Sequence, residues 1–147
     1  MKLIKIISKL SLEEKVSLLS GFDNWYTPNI KKHGIPKIKM SDGPNGVRGD
    51  SSTPQTSACF PSPILLGATW NEKLIKKIGS ATGEEALYKD VDVLLAPTIN
   101  LHRHPLGGRH FECYSEDPVL TSKIACSYVS GVQSKGGCFL FKAFYWK

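Results

Sequence analysis

The residues best suited to chemistry lie in two polar segments of the chain. The first, Lys39–Arg48, reads KMSDGPNGVR and contains Asp42 and Arg48. The second, Leu94–Pro118, is rich in glycine, histidine and arginine and contains Arg109. A carboxylate accepts hydrogen bonds from two hydroxyl groups at once, and a guanidinium offers rigid, planar donors to a hydroxyl pair or a carboxylate. These residue types therefore suit a polar ligand that carries several hydroxyl groups.

Each segment also has a purely structural interpretation. Ser-Asp-Gly-Pro is a common turn sequence, in which Asp42 would only cap the turn. Arg109 could be held in a salt bridge with an acidic neighbour. The candidates for that neighbour are Glu112, Glu116 and Asp117. A bridged arginine can still bind a ligand, because one carboxylate can orient the guanidinium while other donors face the ligand.

The histidines and the acidic pair of the second segment give weaker indications. His102, His104 and His110 lie near Cys113, but their spacing is not typical of zinc sites. We therefore expect solvated or packed loop histidines and no metal ion. Glu116–Asp117 favours helix capping over acid/base catalysis, because adjacent residues at a helix start rarely face each other across a bond. The sequence contains no nucleotide-binding fingerprint, and no cofactor is expected.

Helix and strand patterns surround both segments. Ser11 and Glu14 form a predicted capping box at the start of a helix that ends near Gly21. A second helix is predicted at 72–88, capped by Asn71, and a third begins at Asp117 with Pro118 in its first turn. Alternating residues predict a short strand at 35–40, and an apolar run predicts a buried strand at 91–96.

The order of these elements predicts an α/β chain built from βαβ units. Each polar segment follows a predicted strand directly. In a (β/α)8 barrel, functional residues lie in the loops after the carboxyl ends of the strands. The long stretch 41–63, rich in Gly, Pro, Ser and Thr, is therefore expected to be a functional loop.

Composition narrows the possible functions. The 147 residues are 41% hydrophobic and 22% charged, which is typical of a globular chain. The net charge is +6, but the lysines are scattered, so no nucleic-acid partner is expected. No apolar run is long enough for a membrane span, and the N-terminal apolar residues are interrupted by Lys5 and Lys9. We expect an intracellular protein with four free cysteines.

Several motifs in order resemble family 3 glycoside hydrolases, the β-glucosidase family. They are Ser-Asp-Gly-Pro-Asn-Gly-Val-Arg at 41–48, Cys-Phe-Pro at 59–61, Gly-Ala-Thr-Trp at 67–70, Gly-Glu-Glu-Ala at 83–86 and Gly-Arg-His-Phe-Glu-Cys-Tyr-Ser-Glu-Asp-Pro at 108–118. The resemblance implies the N-terminal portion of a (β/α)8 TIM-type barrel, incomplete in this chain. It further implies that Asp42 binds glucose hydroxyls, that Arg48 and Arg109 line the same subsite, and that Arg103 supports the loop.

The resemblance covers residues 1–136, a partial N-terminal domain, and 137–147 diverge from the family pattern. The family continues with a Lys-His-Phe motif at this place, and a frameshift in a longer gene would explain the different tail. The family's aspartate nucleophile and its acid/base residue are expected beyond the last residue, so this chain alone is expected to be inactive. Two alternatives stay open: a non-catalytic sugar-binding fragment, and an interaction protein that associates or aggregates through open barrel edges.

Overall fold

A computed structural model describes residues 2–48, 56–136 and 138–142. The helices are α1 (Lys2–Ile7), α2 (Leu12–Ser20), α3 (Pro63–Ala68), α4 (Glu72–Tyr88) and α5 (Pro118–Gln133). The strands are β1 (Met40–Asp42), β2 (Val93–Thr98) and β3 (Cys138–Lys142). Two short 3-10 helices lie at Lys31–His33 and His110–Glu112. The chain divides into two compact units, Met1–Met40 and Ser41–Lys147.

The first unit confirms the predicted capping box. The Ser11 amide donates to Glu14 Oε2 over 2.9 Å, and the Glu14 amide donates to Ser11 Oγ over 3.2 Å. Helix α2 ends at Gly21, whose φ of 77° suits glycine. The apolar side chains that recur along α2 are exposed, with Leu12 at 73%, Val16 at 54% and Leu19 at 89%. Within the described residues this unit therefore presents an apolar surface.

The strand predicted at 35–40 is wrong in its extent. Its residues form only isolated antiparallel bridges, Tyr26 with Lys39 and Ile30 with Ile35. Pro36 has no amide hydrogen and cannot donate to a regular ladder. Regular strand structure begins only at Met40, so β1 consists of Met40–Asp42.

The second unit contains a three-stranded sheet in the order β1–β2–β3. β2 and β3 are parallel, with Val93 opposite Cys138 and Leu94 opposite Phe139. β2 starts two residues later than the sequence predicts, because the chain first turns at Asp90, whose φ is 53°. β3 lies in the segment assigned to the divergent tail, and the origin of that segment stays a prediction. Residues 143–147 of the tail lie outside the described residues, as does part of the predicted functional loop, 49–55.

Helices α4 and α5 confirm their predicted starts. The Asn71 side chain accepts from the Leu74 amide over 3.0 Å, and the Asp117 carboxylate accepts from the Val119 amide over 2.7 Å. The two helices pack closely through glycine, since a Cβ on Gly131 would overlap the carbonyl oxygen of Lys76. No helix in the described part of the chain has the length and apolar character needed to cross a membrane.

The core of the second unit lies between the sheet and these two helices. Its buried members come from all parts of the unit: Val47, Leu66, Ile75, Ala86, Val91, Leu94, Ala96, Tyr114, Ile124, Ala125, Tyr128 and Val132. Val47 belongs to the first polar segment and is fully buried. The core therefore fixes the backbone of the residues that flank it, including Arg48.

Candidate functional site

The structure brings the two polar segments together around one cavity of about 330 Å³. The lining comes from the loop after β1 and from the loop after β2: Asp42, Gly43, Pro44, Asn45, Gly46, Arg48, Arg109, Phe111 and Glu112. Three predicted site residues, Asp42, Arg48 and Arg109, thus line the same cavity. Its polar lining carries both acidic and basic side chains, which suits a ligand with hydroxyl donors and acceptors.

The loop after β1 returns on itself and carries Arg48 back toward Asp42. The Arg48 amide donates to the Asp42 carbonyl over 2.9 Å, and the Gly46 amide donates to the Gly43 carbonyl over 3.3 Å. Gly46 has a φ of 134°, which L side chains rarely adopt. This turn explains why the Asp-Gly-Pro sequence is both a structural turn and a site: it places a carboxylate and a guanidinium at the same cavity.

A buried tyrosine supports the loop from below. Tyr128 of α5 is 1% exposed, and its hydroxyl donates to the Gly43 carbonyl over 3.5 Å. Burial raises the pKa of Tyr128 to about 12. Gly43 itself packs on Leu94 of β2, where a Cβ would overlap the leucine side chain. The loop that lines the cavity therefore rests on the packed sheet and helix, which favours a preformed site.

Arg109 and Glu112 form a two-point ion pair at the cavity. Arg109 Nε donates to Glu112 Oε1 over 2.7 Å, and Nη2 donates to Oε2 over 2.8 Å. The hydrogen bonds that Arg109 donates to Glu112 raise the pKa of Arg109, and the charge of Asp42 acts in the same direction. Of the three acidic partners that the sequence allowed, Glu112 is the one that binds Arg109. Two of the five guanidinium N–H groups are used in this way, and they fix the plane of the group.

Two histidines of the second loop pack against each other. The rings of His102 and His110 stack with centroids 4.7 Å apart, and His102 Nε2 lies 3.1 Å from the Cys113 carbonyl oxygen. Gly107 makes room for the His110 ring, because a Cβ there would overlap it. No group of three potential ligands that could hold a metal ion occurs among residues 2–48, 56–136 and 138–142. These contacts shape the loop that carries Arg109.

Arg103 and the acidic pair lie elsewhere in the second loop. Arg103 is exposed and is not among the residues that line the cavity, so its supporting role stays a prediction. Asp117 caps α5, as the sequence predicts, and Glu116 is exposed. The capping interpretation of Asp117 is therefore confirmed.

Sequence reasoning missed three residues near the site. Phe111 lines the cavity and is 54% exposed, which is unusual for a phenylalanine in a packed loop. Glu85 in the last turn of α4 and Lys89, the residue that caps this helix, contact the first loop from the side of the core. The sequence does contain one indication of the role of Glu85: it is a charged residue on the otherwise apolar face of α4. A charged residue that faces a core needs polar partners.

The structure thus has a polar cavity at the loops that follow β1 and β2, the place where barrel proteins carry their functional residues. Residues 5–145 match the family model described as glycosyl hydrolase family 3 N terminal domain. The chain therefore belongs to glycosyl hydrolase family 3. Its fold class, the N-terminal portion of a TIM-type α/β barrel, agrees with the expectation from the sequence motifs.

Curated relatives and solved structures agree with this assignment. The chain is 55% identical over 141 residues to a β-glucosidase of Rhizobium radiobacter, covering 95% of this chain and 17% of that protein. It is 51% identical over 132 residues to β-glucosidase B of Emericella nidulans, covering 89% and 16%. The chain thus spans about a sixth of the length of these relatives.

Two structural neighbours were determined with glucose. β-Glucosidase 3B from Thermotoga neapolitana, in complex with α-D-glucose, has a TM-score of 0.82 and 40% identity, with 97% of this chain and 23% of that chain covered. The Kluyveromyces marxianus β-glucosidase in complex with glucose has a TM-score of 0.83 and 41% identity, with 94% and 17% covered.

Proposed function

We propose that this chain forms the part of a β-glucosidase site that binds the terminal glucosyl unit of a β-glucoside. Asp42 accepts hydrogen bonds from sugar hydroxyls, and Arg48 and Arg109 donate to the hydroxyl oxygens of the same unit. The observation that carries the proposal is that these three side chains line one cavity of about 330 Å³. The glucose in the complexes of the two structural neighbours supports this choice of ligand.

The chemistry of a pyranose fits these donors and acceptors. Each sugar hydroxyl can donate one hydrogen bond and accept others, so a ligand with neighbouring hydroxyls can bind a carboxylate and a guanidinium together. Hydrogen bonds to charged partners are about twice as strong as neutral ones. Phe111, exposed in the same cavity, offers an apolar surface for the C–H groups of the ring.

The same geometry favours binding without hydrolysis by this chain alone. A retaining glycosidase places two carboxyl groups across the scissile bond, about 5–5.5 Å apart, one as nucleophile and one as proton donor. Both oxygens of Glu112 accept hydrogen bonds from Arg109. A carboxylate so engaged orients the arginine and does not act as a free nucleophile. We infer that the nucleophile and the acid/base residue come from outside the residues described here.

Binding and hydrolysis are tested separately on the purified chain. A titration of ¹⁵N-labelled chain with glucose, followed by NMR, is expected to shift the amide signals of residues 42–48. Asp42→Ala is expected to abolish these shifts. Glu116→Ala, an exposed carboxylate of the second loop that does not line the cavity, is expected to leave them unchanged. Absence of shifts in the unchanged chain up to high glucose concentration would reject the proposal.

Hydrolysis of p-nitrophenyl-β-glucoside is measured on the same samples. No turnover above the Asp42→Ala background is expected, because hydrolysis needs a nucleophile and a proton donor across the scissile bond, and Glu112 already accepts from Arg109 with both oxygens. Turnover that disappears in Asp42→Ala would show that the chain contains its own catalytic groups. In that case Glu112, Glu116 and Asp117 would be the first residues to substitute.

A second candidate function is association with another polypeptide segment. The observation that favours it is the apolar surface of the first unit, where Leu12, Val16 and Leu19 of α2 are exposed. Solvent-exposed apolar patches mark interaction surfaces or aggregation sites. Replacing Leu12 and Leu19 by Gln is expected to convert an associating sample to monomer in analytical ultracentrifugation. A chain that is monomeric without the substitutions would argue against this function.

A further inference from the structure

Two charged residues at the end of α4, Glu85 and the C-cap residue Lys89, bind the loop that carries Arg48, although neither lines the cavity. Glu85 accepts hydrogen bonds from two backbone amides: Oε2 from Val47 over 3.3 Å and Oε1 from Ala58 over 2.9 Å. Val47 directly precedes Arg48, and Ala58 lies ten residues beyond it. A single carboxylate therefore joins chain segments on both sides of residues 49–55.

Lys89, one helical turn after Glu85, makes a second connection between the same segments. Its side chain is only 1% exposed, and Nζ lies 3.1 Å from Glu85 Oε1. Nζ donates to the Val47 carbonyl over 2.8 Å and to the hydroxyl of Ser57. Ser57 Oγ also donates to the Val47 carbonyl over 2.8 Å. Glu85 thus accepts a hydrogen bond from the Val47 amide, and Lys89 donates one to the Val47 carbonyl.

The two segments held in this way are also in direct contact. The Phe60 amide donates to the Asn45 carbonyl over 2.7 Å. A Cβ on Gly46 would overlap the Ala58 carbonyl oxygen, so the backbones approach as closely as glycine permits. Asn45, Gly46 and Arg48 all line the cavity. Glu85 and Lys89 therefore contact the residues that adjoin the cavity lining, and not the cavity itself.

An ion pair at this place has a specific physical reason. Burying two charges is costly, and a buried pair contributes little to stability compared with apolar residues of similar size. Apolar side chains at these positions, however, could not bond to the amide and carbonyl of Val47, which is fully buried. Buried backbone groups outside regular ladders need partners from side chains or water. Glu85 and Lys89 supply those partners from the end of α4.

The geometry points to Glu85 and Lys89 as positioning residues, which hold Arg48 at the cavity by joining Val47 to the Ser57–Ala58 segment. This inference rests on the proposed function, because it assigns the pair a role in sugar binding through Arg48. Without the pair, the Val47 amide loses its side-chain partner, and the Val47 carbonyl keeps only the hydrogen bond from Ser57. The backbone next to Arg48 then opens more often, and the guanidinium is at the cavity for a smaller fraction of the time.

The experiment compares Glu85→Gln with Glu84→Gln in the full chain. Glu84 is the adjacent residue of α4, and it forms an ion pair with Lys135 over 2.6 Å at the surface. Glutamine at 85 keeps the size of the side chain but replaces one accepting oxygen by an amide donor. Lys89→Met, with Lys135→Met as its control, removes the other charge at nearly constant length.

Two readouts separate positioning from general stability. Trypsin cleaves after Arg48, so the cleavage rate at this bond, relative to that after Lys123 in α5, reports local opening of the loop. Glucose affinity is measured by NMR titration on the same samples. Glu85→Gln is expected to raise the relative cleavage after Arg48 by about tenfold and to weaken glucose binding by about tenfold. Glu84→Gln is expected to change neither.

Each other outcome overturns the inference. Equal acceleration of cleavage after Arg48 and after Lys123 would mean that the pair only stabilises the whole unit. Faster cleavage after Arg48 with unchanged glucose affinity would mean that the pair holds the backbone at Arg48 but does not contribute to glucose binding. If the unchanged chain binds no glucose, the proposed function fails independently of this inference. The ratio of the two cleavage rates then decides alone whether Glu85 and Lys89 hold Arg48. A ratio that is unchanged in both Glu85→Gln and Lys89→Met rejects the positioning role.

Discussion

Replacing Glu112 by Gln tests whether the ion pair with Arg109 prepares the guanidinium for its ligand. Glutamine retains one oxygen, so one of the two hydrogen bonds, 2.7 and 2.8 Å long, is lost and the other no longer joins opposite charges. The effect on stability is expected to be small, below about 1 kcal/mol, because solvent screens pairs at the surface. The Arg109 side chain is indeed 52% exposed, while that of Glu112 is 12% exposed.

The effect on ligand binding is expected to be larger than the effect on stability. In the unchanged chain the guanidinium is already held in one orientation. After the substitution, the ligand must immobilise a long side chain on binding, which costs about 0.5–1.5 kcal/mol. A cost of about 1 kcal/mol corresponds to a roughly fivefold weaker affinity. The affinity of Glu112→Gln for glucose is therefore expected to fall about fivefold, with nearly unchanged thermal stability.

The assay is a glucose titration followed by NMR, combined with thermal unfolding of the same samples. Glu116→Gln serves as the control, because Glu116 is exposed and does not line the cavity. An affinity within twofold of the unchanged chain would refute the argument that the pair orients Arg109. A loss of stability larger than the loss of binding free energy would refute it as well, since the pair would then support the fold and not the site.

Three further predictions concern the support of the site. Gly131→Ala is expected to destabilise the chain by about 1–3 kcal/mol in urea unfolding, because the added Cβ would overlap the Lys76 carbonyl oxygen. Gly108→Ala is the neutral control, since a Cβ added there would have no neighbouring atom within 4 Å. Asp117→Ala is expected to cost about 1 kcal/mol in the same assay, because the cap of α5 is lost. Burial raises the pKa of Tyr128 from 10.0 to about 12. Because the unfolded chain then releases this proton at a lower pH than the folded chain, the free energy of unfolding is expected to fall as pH rises from 10 toward 12. Tyr128→Phe is expected to make this decrease of the unfolding free energy with pH less steep.

The sequence predicts the local features of this fold well and the long-range ones poorly. The caps at Ser11, Asn71 and Asp117 are recognisable because each side chain bonds to an amide two or three residues away. The strand predicted at 35–40 fails because a pairing partner, and not local alternation, decides whether residues form a ladder. β3 was not predicted, since its strand structure depends on pairing with β2 far away in the chain.

The candidate site shows the same division between local and long-range information. Motif resemblance found Asp42, Arg48 and Arg109, and the geometry of one cavity brings them together. No local pattern links Glu85 to Val47, which lies 38 residues away. The only local sign was a charged residue on a helix face that otherwise packs against the core, and such a residue is informative because burial requires partners.

The arrangement of charges around the cavity supports the proposed division between sugar binding and bond cleavage. The carboxylates that line it are those of Asp42 and Glu112. Glu112 holds Arg109 with both oxygens, and the charge of Asp42 also acts on that arginine. A carboxylate oxygen that accepts from a guanidinium has a further lone pair, so it can also accept a hydrogen bond from a hydroxyl group. Cleavage of a glycosidic bond needs a protonated carboxyl group as well. We therefore propose that Asp42 and Glu112 serve recognition of the sugar and that the proton donor for cleavage is a different group.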